Sequence, residues 1–105
     1  MTSLASELAL TRLREHRREI SDVLARYGAS NPRLFGSIAR GTAGPDSDVD
    51  LLLDLTPEGS GSRLSRLSGI RLELEQLLKM PVDVACEDLL KDGVSESARS
   101  QAIAL

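Results

Sequence analysis

The sequence predicts a small α+β domain, with a few short strands in a mixed sheet flanked by helices. Three observations carry that expectation. Short apolar runs bounded by turn residues occur at "RLFG", "DVDLLLDL" and "PVDVA". Between the last two lies a stripe at helical spacing: Leu64, Leu67, Ile70, Leu74, Leu77 and Leu78. The chain has 105 residues, 41% hydrophobic and 28% charged, which is the size and composition of one globular domain. With no Trp, one Tyr and one Phe, its core has to be aliphatic.

The first element is a helix over Leu4 to Tyr27. Leu13, Ile20, Val23, Leu24 and Tyr27 share one stripe, and Gly28 suits a C-terminal cap. "NPR" interrupts, "RLFG" follows as a strand, and "SIARG" makes one helical turn. "TAGPDS" is a loop by composition. "DVDLLLDL" reads as a buried strand, and "TPEGSGS" is a second loop. The leucine stripe forms the next helix, which Pro81 closes. "PVDVA" is a third strand. The tail, "EDLLKDG" and "VSESARSQAIAL", reads as two weak helical pieces. No internal repeat or linker breaks the pattern, so residues 1–105 are expected to form a single domain.

Composition narrows the function. The formal net charge is -3, whereas proteins that grip a polynucleotide backbone carry a basic surface. Aromatic platforms for stacking bases are lacking too. No direct nucleic-acid binding is expected. "RLREHRRE" alternates in sign and reads as a solvated helix face. The single Cys86 leaves no internal disulfide and sits in "VDVAC" as a small core residue. Together with the lone His16 it offers no Cys/His metal site. No apolar run reaches membrane length, and "MTSLASELALTRLREH" lacks the core of a signal peptide. A cytoplasmic location without a membrane partner is expected.

The acids carry the chemistry. Side chains alternate along a strand, so Asp48 and Asp50 project to one side while Val49, Leu51, Leu53 and Leu55 face the other. Two neighbouring carboxylates repel unless a cation lies between them. Hard oxygen ligands of this kind suit Mg²⁺, which takes one or two carboxylates plus substrate phosphates. Asp83 stands alone among apolar residues in "PVDVA". If its strand pairs beside the first, three carboxylates can serve two metal ions. Acids at a strand end can equally be solvated loop residues. Asp54, further along, reads as such a residue and is left out of the site.

"FGS" adds a second half. Gly36 lets the backbone turn sharply and approach a ligand. Ser37 opens a helical turn whose free N–H groups favour an anion, and Arg40 lies one turn on. The pair is a phosphate seat, or else a plain strand-to-helix turn with a capping Ser and a surface Arg.

"FGSIARGTAGPDSDVDLLL" resembles the signature of the minimal nucleotidyltransferase domains, in the DNA polymerase beta-like nucleotidyltransferase superfamily. That pattern runs Gly-Ser, Arg-Gly, then Ser-Asp-x-Asp before an apolar strand. Gly36, Ser37, Arg40, Gly41, Ser47, Asp48 and Asp50 match it here, and Asp83 in "VDV" matches the third acid. The resemblance runs from the leading helix through the third strand. It implies a polymerase beta palm-like fold and transfer of a nucleotidyl group from ATP or another nucleoside triphosphate.

Further roles are implied by the same resemblance. Asp48 and Asp50 would hold two Mg²⁺ ions that also bind the triphosphate. Gly36 and Ser37 would contact its β- and γ-phosphates, with Arg40 and Ser47 in the same cofactor-binding set. Asp83 would ligate the second metal and help deprotonate the acceptor. Many members of this size are similar to antitoxins paired with a HEPN-domain ribonuclease toxin, and they transfer AMP to a tyrosine of it. Two alternatives stay open. One is an antitoxin that neutralises its partner by contact alone. The other is a small-molecule nucleotidyltransferase with a separate substrate-binding subunit.

Overall fold

The computed structural model describes residues 2–57, 62–86 and 103–105. Among these residues, four helices and four strands follow in the order α1 (Leu4–Glu15), α2 (Arg17–Arg26), β1 (Ala29–Phe35), α3 (Gly36–Arg40), β2 (Val49–Leu55), α4 (Arg63–Leu78), β3 (Val82–Cys86) and β4 (Ile103–Ala104). The strands form one mixed sheet in the order β3-β2-β1-β4. β1 runs antiparallel to β2 and to β4, and β2 runs parallel to β3. Parallel neighbours need a crossover, and α4 supplies it.

Alternation along β2 explains the layers. Val49, Leu51 and Leu53 are fully buried in the main core. There they join Leu34 of β1, Leu13 of α1, Ile20 and Leu24 of α2, and Ile70, Leu74 and Leu78 of α4. Leu67, Ile70, Leu74 and Leu78 give α4 its buried stripe, while Leu64 at its start is 70% exposed and Leu77 is only partly buried. Ser62 caps the helix, its hydroxyl accepting from Ser65 N at 3.1 Å, a contact that contributes about 1 kcal/mol. The helix ends at Lys79 in the left-handed region (φ 58°), two residues before Pro81, as a residue that cannot continue a helix requires. Cys86 is buried, as its apolar setting implied.

Three sequence expectations change. The leading helix is two helices, broken at His16 (φ -103°, ψ 16°). The bend lets α1 pack on α3 while α2 packs on β1 and α4. β1 begins at Ala29, earlier than "RLFG", and absorbs Asn31 (φ 54°) through an irregularity between Ser30 and Arg33. The helical expectation for the tail mostly falls outside the described residues. Its end, Ile103–Ala104, is an edge strand on β1, since Leu34 and Arg33 pair with Ile103 and Ala104.

One buried cation ties the layers together. Arg66 is 5% exposed. Its Nε donates to Tyr27 O at 2.8 Å, Nη1 to Thr56 O at 2.9 Å, and Nη2 to Gly28 O at 3.0 Å. The guanidinium's fan of donors thus pins α4 to the α2–β1 turn and to the residue after β2. Among the described residues, no helix is long and apolar enough to cross a membrane.

Candidate active site

The acids meet at one end of the sheet. In the register, Phe35 of β1 lies opposite Asp50 of β2, and Asp50 lies beside Asp83 of β3. Residues paired in this way share a face, so Asp83 projects from the same side as Asp50. Asp48 sits one residue before β2. The start of that strand is bonded to the residue preceding β3, Val49 N donating to Pro81 O at 2.9 Å. Asp48 and Asp83 are exposed, and Asp50 is half-buried. Burial first, then the charges of Asp83 and Asp48, push the Asp50 pKa above its ordinary value, while Arg40 pulls it back. Three carboxylates and one guanidinium therefore share a field. Among the described residues, no three His, Cys, Asp or Glu side chains close into a compact metal-ligand cluster.

Gly36 explains how the second half approaches the first. It opens α3 directly after β1 with φ 78°, a conformation L side chains rarely adopt. A Cβ placed there would collide with Asp50 Oδ2. The bare α-carbon lets the chain turn at van der Waals range of the carboxylate. The N-terminus of α3 carries no side-chain cap, so its first N–H groups are not taken by a capping side chain. Ser37 is partly buried, and its carbonyl accepts from Thr42 N at 2.9 Å. This bond folds the chain back after Gly41, the left-handed C-cap of α3. Arg40 stands exposed in the last turn of α3.

Ser47 has a local partner. Its hydroxyl accepts from Gly44 N at 2.9 Å, and its own N–H donates to Gly44 O at 3.2 Å. The turn 44–47 is therefore closed on itself just before Asp48. Asp54 lies on the Asp50 face, two alternations along, but it serves another contact. It accepts from Arg33 Nη2 at 3.0 Å and Asn31 Nδ2 at 3.1 Å. These two contacts, Asn31 first, hold its pKa below the usual value. Between the two acids, Leu52 is fully buried although it shares their face.

Two residues escaped the sequence reading. Ser3 and Ser6 of the α1 N-terminus reach the loop that links the phosphate seat to the acids. Ser3 N donates to Gly41 O at 2.8 Å, Ser3 Oγ donates to Ala43 O at 2.8 Å, and Ala43 N donates to Ser6 Oγ at 3.0 Å. Ser3 caps α1, and that cap was the one legible signal in "TSLASE".

A mixed sheet with three acids at one end, facing a Gly-Ser helical turn, is the architecture of a nucleotidyltransferase. Comparison with known proteins agrees. The nucleotidyltransferase domain family matches residues 13–105. The chain is 33% identical over 105 residues to protein adenylyltransferase MntA of Thermococcus cleftensis, covering 98% of each chain. It is also 33% identical over 90 residues to a chain inferred to be a protein adenylyltransferase from Methanocaldococcus jannaschii, covering 82% of this chain and 94% of that one. A solved structure inferred to be a minimal nucleotidyltransferase superposes with a TM-score of 0.77 at 38% identity, over 91% of this chain and 95% of that one. A toxin-antitoxin crystal structure with AMP-PNP shares the fold, with a TM-score of 0.67 at 18% identity, over 83% and 69%. The chain belongs to the nucleotidyltransferase domain family and is a nucleotidyltransferase.

Proposed function

We propose that the chain is a Mg²⁺-dependent adenylyltransferase that moves AMP from ATP to a tyrosine hydroxyl of a HEPN-type toxin and thereby acts as its antitoxin. The observation that carries this is the contact between the bare α-carbon of Gly36 and Asp50, with Asp83 in register beside it. That contact joins a phosphate seat to an acidic site in one small volume. The Thermococcus relative, matched over nearly its full length, is named a protein adenylyltransferase. The structural neighbour with AMP-PNP is a toxin-antitoxin. The HEPN class of the partner follows from the family resemblance.

The donor chemistry suits a divalent cation, although the three carboxylates do not close into a cluster on their own. Asp48, Asp50 and Asp83 offer hard oxygens, and the raised pKa of Asp50 marks carboxylate charge that burial and like neighbours disfavour. In the proposed site these three acids would hold two Mg²⁺ ions. When bound, the ions neutralise the triphosphate and stabilise the departing pyrophosphate. The remaining work falls to the chain. Gly36 and Ser37, with the first N–H groups of α3, receive the β- and γ-phosphates. Arg40 adds positive charge one turn on, and Ser47 shapes the loop ahead of Asp48. Asp83, exposed at the start of β3, takes the proton of the acceptor hydroxyl. The acceptor oxygen then bonds to the α-phosphorus as the bond from that phosphorus to the pyrophosphate oxygen breaks.

Incubation of the chain with a HEPN partner, Mg²⁺ and α-labelled nucleoside triphosphates, followed by mass spectrometry of both proteins, tests the proposal. Label from ATP on a partner tyrosine is the expected product. Label on a small acceptor in place of the partner would assign the chain to small-molecule transfer. An unlabelled partner that is nevertheless neutralised would assign it to contact inhibition.

A further inference from the structure

We propose that Ser6, together with Ser3, is a positioning residue that sets the loop between the phosphate seat and the catalytic acids. Ser6 is fully buried, and the buried polar or charged residues among those described are Ser6 and Arg66. A buried hydroxyl is costly unless it is bonded, and the hydroxyl bonds of Ser6 lead toward one place. Its oxygen accepts from Ala43 N at 3.0 Å and shares a 2.9 Å hydrogen bond with the Ser3 hydroxyl. Ser3 Oγ in turn lies 2.8 Å from Ala43 O. Each hydroxyl has one proton. With the Ser3 proton on Ala43 O, the Ser6 proton falls on Ser3 Oγ. The two serines then satisfy both the N–H and the C=O of Ala43.

Ala43 is the pivot of the segment that matters. On its N-terminal side the chain runs back through Thr42, bonded to Ser37 O, to the phosphate seat. On its other side the closed turn 44–47 delivers Asp48. Fixing both peptide groups of Ala43 from α1 fixes the offset between the two halves of the site. The family match starts at residue 13, so neither serine belongs to the matched segment. This inference rests on the proposal that the site binds Mg²⁺-ATP.

The test measures Mg²⁺ with a non-hydrolysable ATP analogue by calorimetry, and amide exchange over residues 41–47, in the full chain. Ser3→Ala and Ser62→Ala are a matched pair, because each removes the capping hydroxyl of a helix. Ser3→Ala and Ser6→Ala are expected to weaken analogue binding about 10-fold, the lower end of what outer-shell partners contribute, and to speed exchange at Ala43. Ser62→Ala is expected to lower the melting temperature similarly, as loss of an N-cap does, and to leave binding within about 2-fold, as a change remote from the site does. Equal binding by Ser3→Ala and Ser62→Ala would overturn the positioning role, even if Ser6→Ala does not fold. A wild-type chain that fails to bind the analogue would overturn the nucleotide site itself, and the positioning role with it.

Discussion

Burial and the carboxylates of Asp83 and Asp48 hold the Asp50 pKa above its ordinary value of 3.8, and Arg40 offsets part of the rise. A raised carboxylate pKa means the folded state favours the protonated form. The stabilisation it gives is fully present below pH 3.8 and is lost as pH rises through the higher folded value. Asp50→Asn removes that loss. The variant should melt higher than the wild type in metal-free buffer at neutral pH, with the gap closing on acidification, in a thermal scan repeated across pH. The same variant should lower nucleotidyl transfer by more than about 100-fold, since even outer-shell partners of a metal site contribute 10–100-fold. Gly36→Ala should fail for two reasons together. The left-handed conformation costs about 1–2 kcal/mol, and the new Cβ collides with Asp50. A denaturant midpoint measures the first effect and transfer activity the second. At this scale the placement of Asp83 beside Asp50 was legible, because both lie in short apolar strands that pair in register, while Asp48 falls one residue ahead of β2. The local bond of Ser47 and the Ala43 contacts of Ser6 were not legible, since both depend on how a loop closes.

The elements follow the same division. The stripe from Leu67 to Leu78 announced α4, and its buried positions repeat at helical spacing. The break at His16 was hidden, because the stripe keeps its phase across it and only the different partners of α1 and α2 require a bend. Arg66 was hidden for another reason. In sequence it is one more charge on a helix, and its role appears only when the carbonyls of Tyr27, Gly28 and Thr56 converge on it. Arg66→Met should destabilise the fold by about 1–3 kcal/mol, since the part-buried carbonyls of Tyr27 and Thr56 lose a charged donor while Gly28 O keeps Thr56 N. Equilibrium denaturation with an unchanged slope is the check. A loss below about 0.5 kcal/mol, the usual range for a surface change, would mean that the carbonyls find other donors.

For the whole molecule, short strand runs and one strong helical stripe sufficed to predict a mixed sheet with helices. β4 was missed because two residues, Ile103 and Ala104, carry too little pattern to separate a strand from a helix end. The sheet matters for function because its register brings Asp83 beside Asp50 from more than thirty residues away. A ligand that binds the folded site alone raises apparent stability, by about 2.7 kcal/mol at 100 times its dissociation constant. Mg²⁺ with ATP should therefore raise the melting temperature by several degrees, and Asp50→Asn should abolish the rise. The most direct measurement uses Asp48→Asn/Asp50→Asn in complex with a HEPN partner, scoring complex formation, label transfer from α-labelled ATP and toxin neutralisation together. Retained binding with loss of both label and neutralisation is predicted. Neutralisation that survives without label would contradict a catalytic antitoxin.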